Sequence, residues 1–437
     1  MTTLQELLEA IENRTAHVGI IGLGYVGLPL VLLFEEQGFK VTGFDVDSSK
    51  VEKLSRGESY IRHIGVERIA EAFKRRADAT VDFNRLTECD AIVICVPTPL
   101  GTHREPDLKY IRVTTETIAR HLRKRQLIVL ESTTYPGTTR EELLPRLEAS
   151  GLKCGTDFFL AFSPEREDPG NESFNTRNIP KVVGGIDADS LKAAETLYGS
   201  IIERVVPVAS TEVAESAKLL ENIFRSVNIA LVNELKVVFD RMGIDVWQVI
   251  EAAKTKPFGF MPFYPGPGLG GHCIPLDPFY LTWKAAEYGT WARFIELAGE
   301  INTSMPRYVI DRTTDAINRS GKSIVGATVL VLGLSYKADI DDDRESPSFE
   351  LIELLQERGA KVSYCDPFIP VAKRGRKHDL GMTSAPCTAE EFAKYDAVLI
   401  ATQHSAFKDR ALYKNAKLVI DTRNIVPSHA AAVVVRA

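Results

Sequence analysis

Short apolar runs separated by amphipathic stretches dominate the first part of the chain. They lie at 17–21 (HVGII), 41–45 (VTGFD), 90–96 (DAIVICV), 126–131 (QLIVLE), 158–162 and 181–184. Runs of this length that are apolar on both faces predict strands of a buried parallel sheet, and the stretches between them predict the crossover helices. The pattern changes at about residue 210. Ser210 to Gly243 reads as one long helix, with Thr211 as its cap and Glu212 and Glu215 in an acidic first turn. Helical sequence continues to about Ala253, and a loop rich in Pro and Gly follows from Pro257 to Pro278. A further helix is expected to end near Ser304, because Pro306 follows. Beyond about residue 320 the strand pattern returns at 327–332, 361–365, 396–401 and 417–421. The chain thus reads as α/β, then helical, then α/β. The first residues, 1–17, form an amphipathic helix without the basic start and apolar core of a signal peptide.

Composition narrows the function. Of 437 residues, 44% are hydrophobic and 26% charged, as in soluble globular proteins. The net charge of -6 and the absence of a basic block argue against nucleic acid as a partner. No apolar run reaches the roughly 18 residues that span a bilayer, so no membrane association is expected. The six cysteines show no C-x-x-C spacing, so no metal is expected. Their low density suits free thiols in a reducing cytoplasm.

Gly22-Leu23-Gly24-Tyr25-Val26-Gly27 fits G-x-G-x-x-G, with a strand before it and an apolar helix after it. The first glycine permits the tight turn, the second admits a pyrophosphate, and the third lets helix and strand pack closely. The helix N-terminus then offers free N–H groups to phosphate. Asp45 ends the next strand, where a carboxylate would bind a ribose 2′-hydroxyl and repel a 2′-phosphate. NAD is therefore expected over NADP, with Lys50 nearby softening the discrimination.

Two further segments carry candidate chemistry. Lys218 and Asn222 stand four apart on one helix face, an arrangement able to hold an oxyanion or a water. Spacing alone fits a solvated helix face better. The second segment is Gly266-Pro267-Gly268-Leu269-Gly270-Gly271-His272-Cys273, with Asp277 four residues after the cysteine. Its glycines would leave backbone amides open to a ligand. A thiolate there would attack a carbonyl and hold it covalently. A small buried thiol is the plainer account and suits Cys95, in mid-strand, better than a cysteine in a glycine loop.

Taken together, GLGYVGLPL (22–30), VPTPL (96–100), the segment 131–139, SPEREDPG (163–170), AKLLEN (217–222), GPGLGGHCIPLDP (266–278) and LGLSYKADIDDDRESPS (332–348) closely resemble the UDP-glucose/UDP-mannuronic acid dehydrogenase family, in particular its bacterial UDP-N-acetylglucosamine 6-dehydrogenase members. The resemblance covers nearly the whole chain. It implies two Rossmann-like parallel-sheet domains joined by a central long-helix domain. Residues 1–209 would bind NAD, 210–305 would form a helical dimerisation domain with the cysteine loop, and 306–437 would bind the UDP-sugar. It implies a four-electron oxidation of a sugar C6 alcohol to the acid through a cysteine thiohemiacetal and thioester. Cys273 would be the nucleophile, with Lys218 and Asn222 stabilising negative charge. Asp277 would assist water and proton chemistry, and Glu165 and Thr133 would activate and order the water. NAD would be contacted by Gly22, Gly24, Tyr25, Val26, Gly27, Asp45, Lys50, Thr98, Thr133 and, from the last domain, Arg344. The UDP-sugar would be held by Glu165, Arg166, Lys218, Asn222, Lys337 and the loop with Tyr264, Gly268 and Gly270.

The residues after Glu165, and His272, match the N-acetylhexosamine group, with His272 read as loop structure or packing. UDP-N-acetyl-D-glucosamine is the expected substrate, with UDP-glucose and UDP-N-acetylmannosamine as alternatives. A β-hydroxyacid dehydrogenase shares the layout but leaves Cys273 and the last α/β segment unexplained. A non-catalytic NAD and nucleotide-sugar sensor would not need the full residue set. A homodimer or higher oligomer built on the long helix, and a role in supplying surface polysaccharide such as lipopolysaccharide O-antigen, are further expectations from the resemblance.

Overall fold

The computed structural model describes residues 2–61, 64–101, 105–166, 176–271, 273–372, 378–426 and 432–437. The expectations for His272 and for the segment after Arg166 lie outside the described residues, as does the side chain of Cys273. The chain packs as two compact units, Met1–Glu221 with Phe279–Thr290, and Asn222–Pro278 with Trp291–Ala437.

The first unit is built on eight strands: β1 (His17–Ile21), β2 (Lys40–Phe44), β3 (Ala77–Thr80), β4 (Ala91–Ile94), β5 (Gln126–Leu130), β6 (Phe158–Phe162), β7 (Lys181–Gly185) and β8 (Val205–Val208). Their order is β3-β2-β1-β4-β5-β6-β7-β8. The order reverses between β1 and β4, which opens the crevice where doubly wound sheets bind ligands. β1, β4, β5 and β6 are buried along their whole length, as their unbroken apolar runs require. Helices Gly27–Glu36 and Ala188–Gly199 contribute Leu28, Val31, Phe34, Ala194 and Leu197 to the core around the sheet.

The sheet corrects the all-parallel expectation at one place. β7 runs antiparallel to β6, with Ala161 opposite Gly185 and Phe162 opposite Gly184. A run buried on both faces carries no side-chain signal for its direction, so the pattern alone cannot separate the two pairings. β3 and β8 were not anticipated. β8 is a half-exposed edge strand and holds Pro207, a residue that edges tolerate because no neighbour needs its missing N–H.

The second unit has five parallel strands: β9 (Thr328–Leu332), β10 (Lys361–Cys365), β11 (Ala397–Ile400), β12 (Leu418–Asp421) and β13 (Val433–Arg436), in the order β10-β9-β11-β12-β13. One side chain set, including Val329, Val331, Leu399 and Ile420, packs with Ile310, Ile317 and Ile352 from helices Arg293–Arg319 and Pro347–Glu357. The molecule is α/β, with two Rossmann-type sheets and a 32-residue helix, Thr211–Met242.

Three helix boundaries differ from expectation. Ser210, not Thr211, caps the long helix, since its hydroxyl accepts from the Val213 N–H. The glycine loop stops earlier than Pro278, because a helix runs Cys273–Glu287 with Pro278 inside it. The helix expected to end at Ser304 continues through Pro306 to Arg319. Proline there costs one backbone hydrogen bond. The stripe of Met305, Pro306, Val309, Ile310 and Thr313 is buried, and that burial outweighs the loss.

The free-thiol expectation also fails for one pair. Cys365, the last residue of β10, is disulfide-bonded to Cys387, with Cα atoms 5.7 Å apart. That separation is in the ordinary disulfide range. The 22-residue separation carries no recognisable spacing, so the fold alone creates the pair. No described helix is long and apolar enough to cross a membrane.

Candidate active site

In the first unit the glycine turn follows β1. Gly22 has φ +95°, and a Cβ at Gly27 would lie 1.8 Å from the Gly22 carbonyl oxygen. The turn and the close packing of helix on strand therefore both require glycine. Gly24 differs, since a Cβ built there meets nothing within 4 Å. That open space at a helix N-terminus fits a pyrophosphate. Asp45 follows the end of β2 and is buried. Its carboxylate accepts from Leu23 N at 2.9 Å, Asp47 N at 3.0 Å and Lys50 Nζ at 3.0 Å. The acid and lysine expected to discriminate cofactors are thus an ion pair. Tyr60, which sequence reasoning missed, caps the same turn by donating to the Leu23 carbonyl at 2.6 Å. Burial pushes its hydroxyl far above the usual phenol range. Thr98 is buried, and its carbonyl accepts from Tyr280 Oη.

Glu165 and Lys218 come together although 53 residues separate them. The Lys218 ammonium sits 3.2 Å from Glu165 Oε2 and 2.5 Å from the Glu165 carbonyl oxygen. Both side chains are largely buried, at 5% and 15% exposure, so the pair is shielded from solvent. Arg166 forms a two-pronged pair with Glu221 and donates to Pro180 O. Glu165, Arg166 and Val26 line a cleft whose floor holds a buried pair, Lys181 with Glu131 at 2.8 Å. Tyr198 donates to the same Glu131.

Thr133 is half-buried on the segment after β5, and that segment is anchored by an unexpected residue. Glu215 on the long helix is fully buried. It accepts from Gly137 N at 2.6 Å, Thr139 N at 2.9 Å and Thr139 Oγ at 2.7 Å. Burial drives its carboxyl up to about 7, against the pull of those three donors. Sequence reasoning placed Glu215 only as a favourable charge in a first helical turn.

The second unit holds the other expected residues. Helix Cys273–Glu287 starts at Cys273 and carries Asp277 one turn later, as the four-residue spacing anticipated. Asp277 is buried and accepts from Asn222 Nδ2 at 2.5 Å. The glycine loop packs on two other motifs. A Cβ at Gly270 would lie 2.6 Å from Tyr336 Cβ, and Gly271 N donates to Arg344 O at 3.0 Å. At Gly270, then, glycine permits close packing of the loop on Tyr336. Gly268 likewise meets Pro347. Gly266 N donates to Asn233 Oδ1 at 3.0 Å, and Asn233 is held by Asn302, which in turn donates to Ser226 O. This buried amide chain ties loop to helix, and single-position motifs gave no sign of it.

Tyr264 stacks on Trp247, 5.7 Å between centroids, and donates to Glu251 at 2.6 Å. Lys337 is half-buried on the turn after β9, and its carbonyl accepts from Ser335 Oγ. His404, also missed, is wholly buried beneath that turn. Its Nδ1 accepts from Asp339 N, which leaves Nε2–H to donate to Asp366 and Ser335, each at 3.1 Å. Arg344 is exposed and pairs with Asp342. Arg423 is a further missed cation. Its Nη1 would lie 2.4 Å from a Cβ at Gly266, and desolvation lowers its guanidinium to about 10.

The chain matches known proteins along most of its length. Residues 16–202 match the NAD binding domain of the UDP-glucose/GDP-mannose dehydrogenase family, 212–304 its central domain and 330–428 its UDP binding domain. The chain belongs to the UDP-glucose/GDP-mannose dehydrogenase family. A UDP-N-acetyl-D-glucosamine 6-dehydrogenase of Pseudomonas aeruginosa is 36% identical over 92% of this chain and 93% of its own. A UDP-N-acetyl-D-mannosamine dehydrogenase of Pyrococcus horikoshii is 33% identical over 94% of this chain and 96% of its own. A solved structure of a UDP-D-ManNAc dehydrogenase from Pyrococcus horikoshii superposes with a TM-score of 0.85 at 32% identity, over 95% of this chain and 97% of that one. The protein is thus an oxidoreductase of the NAD-dependent UDP-sugar dehydrogenase class. Its cofactor is NAD, and its substrate is a nucleotide sugar.

Proposed function

We propose that the enzyme oxidises the C6 alcohol of a UDP-N-acetylhexosamine, UDP-N-acetyl-D-glucosamine in first place, to the uronic acid. The observation that carries this is the pairing of chemistry-bearing residues from distant motifs, Glu165 with Lys218 and Asn222 with Asp277. The names of the similar proteins support an N-acetylhexosamine over glucose, and the runner-up is UDP-N-acetylmannosamine. Residues 1–209 form the NAD-binding domain in this account, 210–305 the central helical domain and 306–437 the UDP-sugar domain.

Gly22, Gly24, Tyr25, Val26, Gly27, Asp45, Lys50, Thr98, Thr133 and Arg344 hold the cofactor. Bound there, NAD supplies the hydride acceptor, one molecule for each of the two oxidations. The Cys273 thiolate adds to the aldehyde carbon and holds it, first as a thiohemiacetal and then as a thioester, so the reactive aldehyde is not released. Glu165 takes a proton from a water ordered with Thr133. That water attacks the thioester carbon, the carboxylate forms and the Cys273 thiolate leaves. Lys218 and Asn222 stabilise the oxyanion, an effect of about 3 kcal/mol for one such donor. Asp277 serves the proton transfers. Arg166, Tyr264, Gly268, Gly270 and Lys337 contact the sugar nucleotide, and Arg423, half-buried beside Gly266, joins Lys337 at the diphosphate.

The enzyme acts in the cytoplasm, as at least a homodimer, and supplies acidic sugars for surface polysaccharide such as lipopolysaccharide O-antigen. The dimer is supported by Leu220, Phe224, Leu231, Val238 and Met242, exposed at intervals of four and seven along the long helix. The test of substrate is a panel of UDP-sugars with NAD, with products identified by mass. Fastest oxidation of UDP-N-acetyl-D-glucosamine to its acid is expected. A preference for UDP-N-acetylmannosamine or UDP-glucose would overturn the choice of sugar, and no oxidation of any would overturn the function.

A further inference from the structure

Arg225 lies on the long helix one turn beyond Asn222. Its Nη2 donates to Asn222 Oδ1, and Asn222 Nδ2 donates to Asp277 Oδ2. The direction of this chain is forced by chemistry. A guanidinium only donates, a carboxylate only accepts, and the amide has one end of each kind. No carboxylate among the described residues pairs with Arg225, and its Nε is buried without a hydrogen-bond partner. The guanidinium is therefore not held there by a salt bridge. Its side-chain partner is the amide oxygen. A cation half-buried beside a buried acid–amide pair needs such a reason, because desolvating an unpaired charge is costly.

We propose that Arg225 is a positioning residue that fixes the polarity of the Asn222 amide. With the carbonyl end held on Arg225, the NH2 group is turned to Asp277 and keeps its second N–H for an oxyanion. A flipped amide would set its carbonyl oxygen against that charge instead. Asp277 enforces the same orientation from the other side, so either partner can partly cover the loss of the other. The inference rests on the reading of Asn222 and Asp277 as parts of the UDP-sugar oxidation site.

The experiment is a double-mutant cycle on the full-length enzyme, read as kcat and KM for the UDP-sugar, with thermal midpoints alongside. Arg225→Ala should lower kcat about ten-fold and leave KM within three-fold, Arg225→Lys should keep part of the loss back, and millimolar guanidinium should restore several-fold activity to Arg225→Ala alone. Arg225→Ala combined with Asp277→Asn should lose at least five-fold more than the product of the single losses. If Arg225→Ala does not fold, Arg225→Met enters the same cycle, where the same excess loss is expected. Single losses that multiply within two-fold, or a kcat drop with a matching fall in thermal midpoint and no guanidinium rescue, would overturn the inference. A wild type inert towards every UDP-sugar would overturn the functional reading and this inference together. A wild type that oxidises a UDP-sugar while the losses multiply would sink the inference alone.

Discussion

Replacing Glu215 by Gln should abolish a specific pH dependence of stability. Glu215 is fully buried, and burial moves its carboxyl from 4.5 up to about 7. The folded protein therefore binds this proton more tightly than the unfolded chain does. The stabilisation is complete below about pH 4.5, where both states are protonated, and it is lost as the pH rises through 7. At about 1.36 kcal/mol for each pH unit, the full effect is about 3 kcal/mol, of which about 2.5 kcal/mol disappears between pH 5 and pH 8. For a unit of this size that corresponds to roughly 5–10 °C in melting temperature. His17, which burial lowers, gives a slope of the opposite sign, so the informative quantity is wild type minus variant. Gln cannot ionise, and its NH2 group must face one of the donors on the 137–139 turn, so its absolute stability will be lower. The slope is what matters. Thermal scans from pH 5 to pH 8 should show a wild-type-minus-variant difference that shrinks by those 5–10 °C. A constant difference across the range would refute the placement of Glu215 as a buried, proton-binding carboxyl.

Two other outcomes follow from the geometry. Asp45→Ala removes the acceptor beside the glycine turn and frees Lys50, its ion-pair partner, for a phosphate. The ratio of kcat/KM for NAD to that for NADP should fall at least ten-fold, since a charge-assisted hydrogen bond contributes about 1.5–3 kcal/mol, and an unchanged ratio would count against Asp45 as the discriminating group. The Cys365–Cys387 bond closes a loop of 22 residues, a constraint of about 3 kcal/mol on the unfolded chain. Protein equilibrated in oxidising glutathione should expose two fewer thiols on denaturation than reduced protein and melt several degrees higher. Equal thiol counts would show the bond does not form.

The elements that sequence disclosed were those encoded locally. The Gly22–Gly27 turn needs only its own glycines, a strand before and a helix after, and β1, β2, β4, β5 and β6 announce themselves as short apolar runs, which the polar β3 does not. Cys273 and Asp277 lie on successive turns of one helix because Asp277 is four residues on. What stayed hidden was set by long-range packing. Glu215 reaches a turn 76 residues away, and Asn233 meets Asn302 across 69 residues, with no local pattern to betray either contact. β7 could not reveal its direction, nor Pro306 its place inside a helix, because burial decided both. His404 and Arg423 lie in segments with no recognised motif. The glycines of the cysteine loop were read correctly as unusual but for an incomplete reason, since Gly270 is small to fit Tyr336.

The central claim is that Cys273 carries the substrate covalently between its two oxidations. The most direct test is Cys273→Ser, with NADH formed per UDP-sugar and acid product measured under turnover conditions. The account predicts two NADH for each acid in the wild type and loss of steady turnover to the acid in the variant. Undiminished turnover at two NADH per sugar in Cys273→Ser would contradict it.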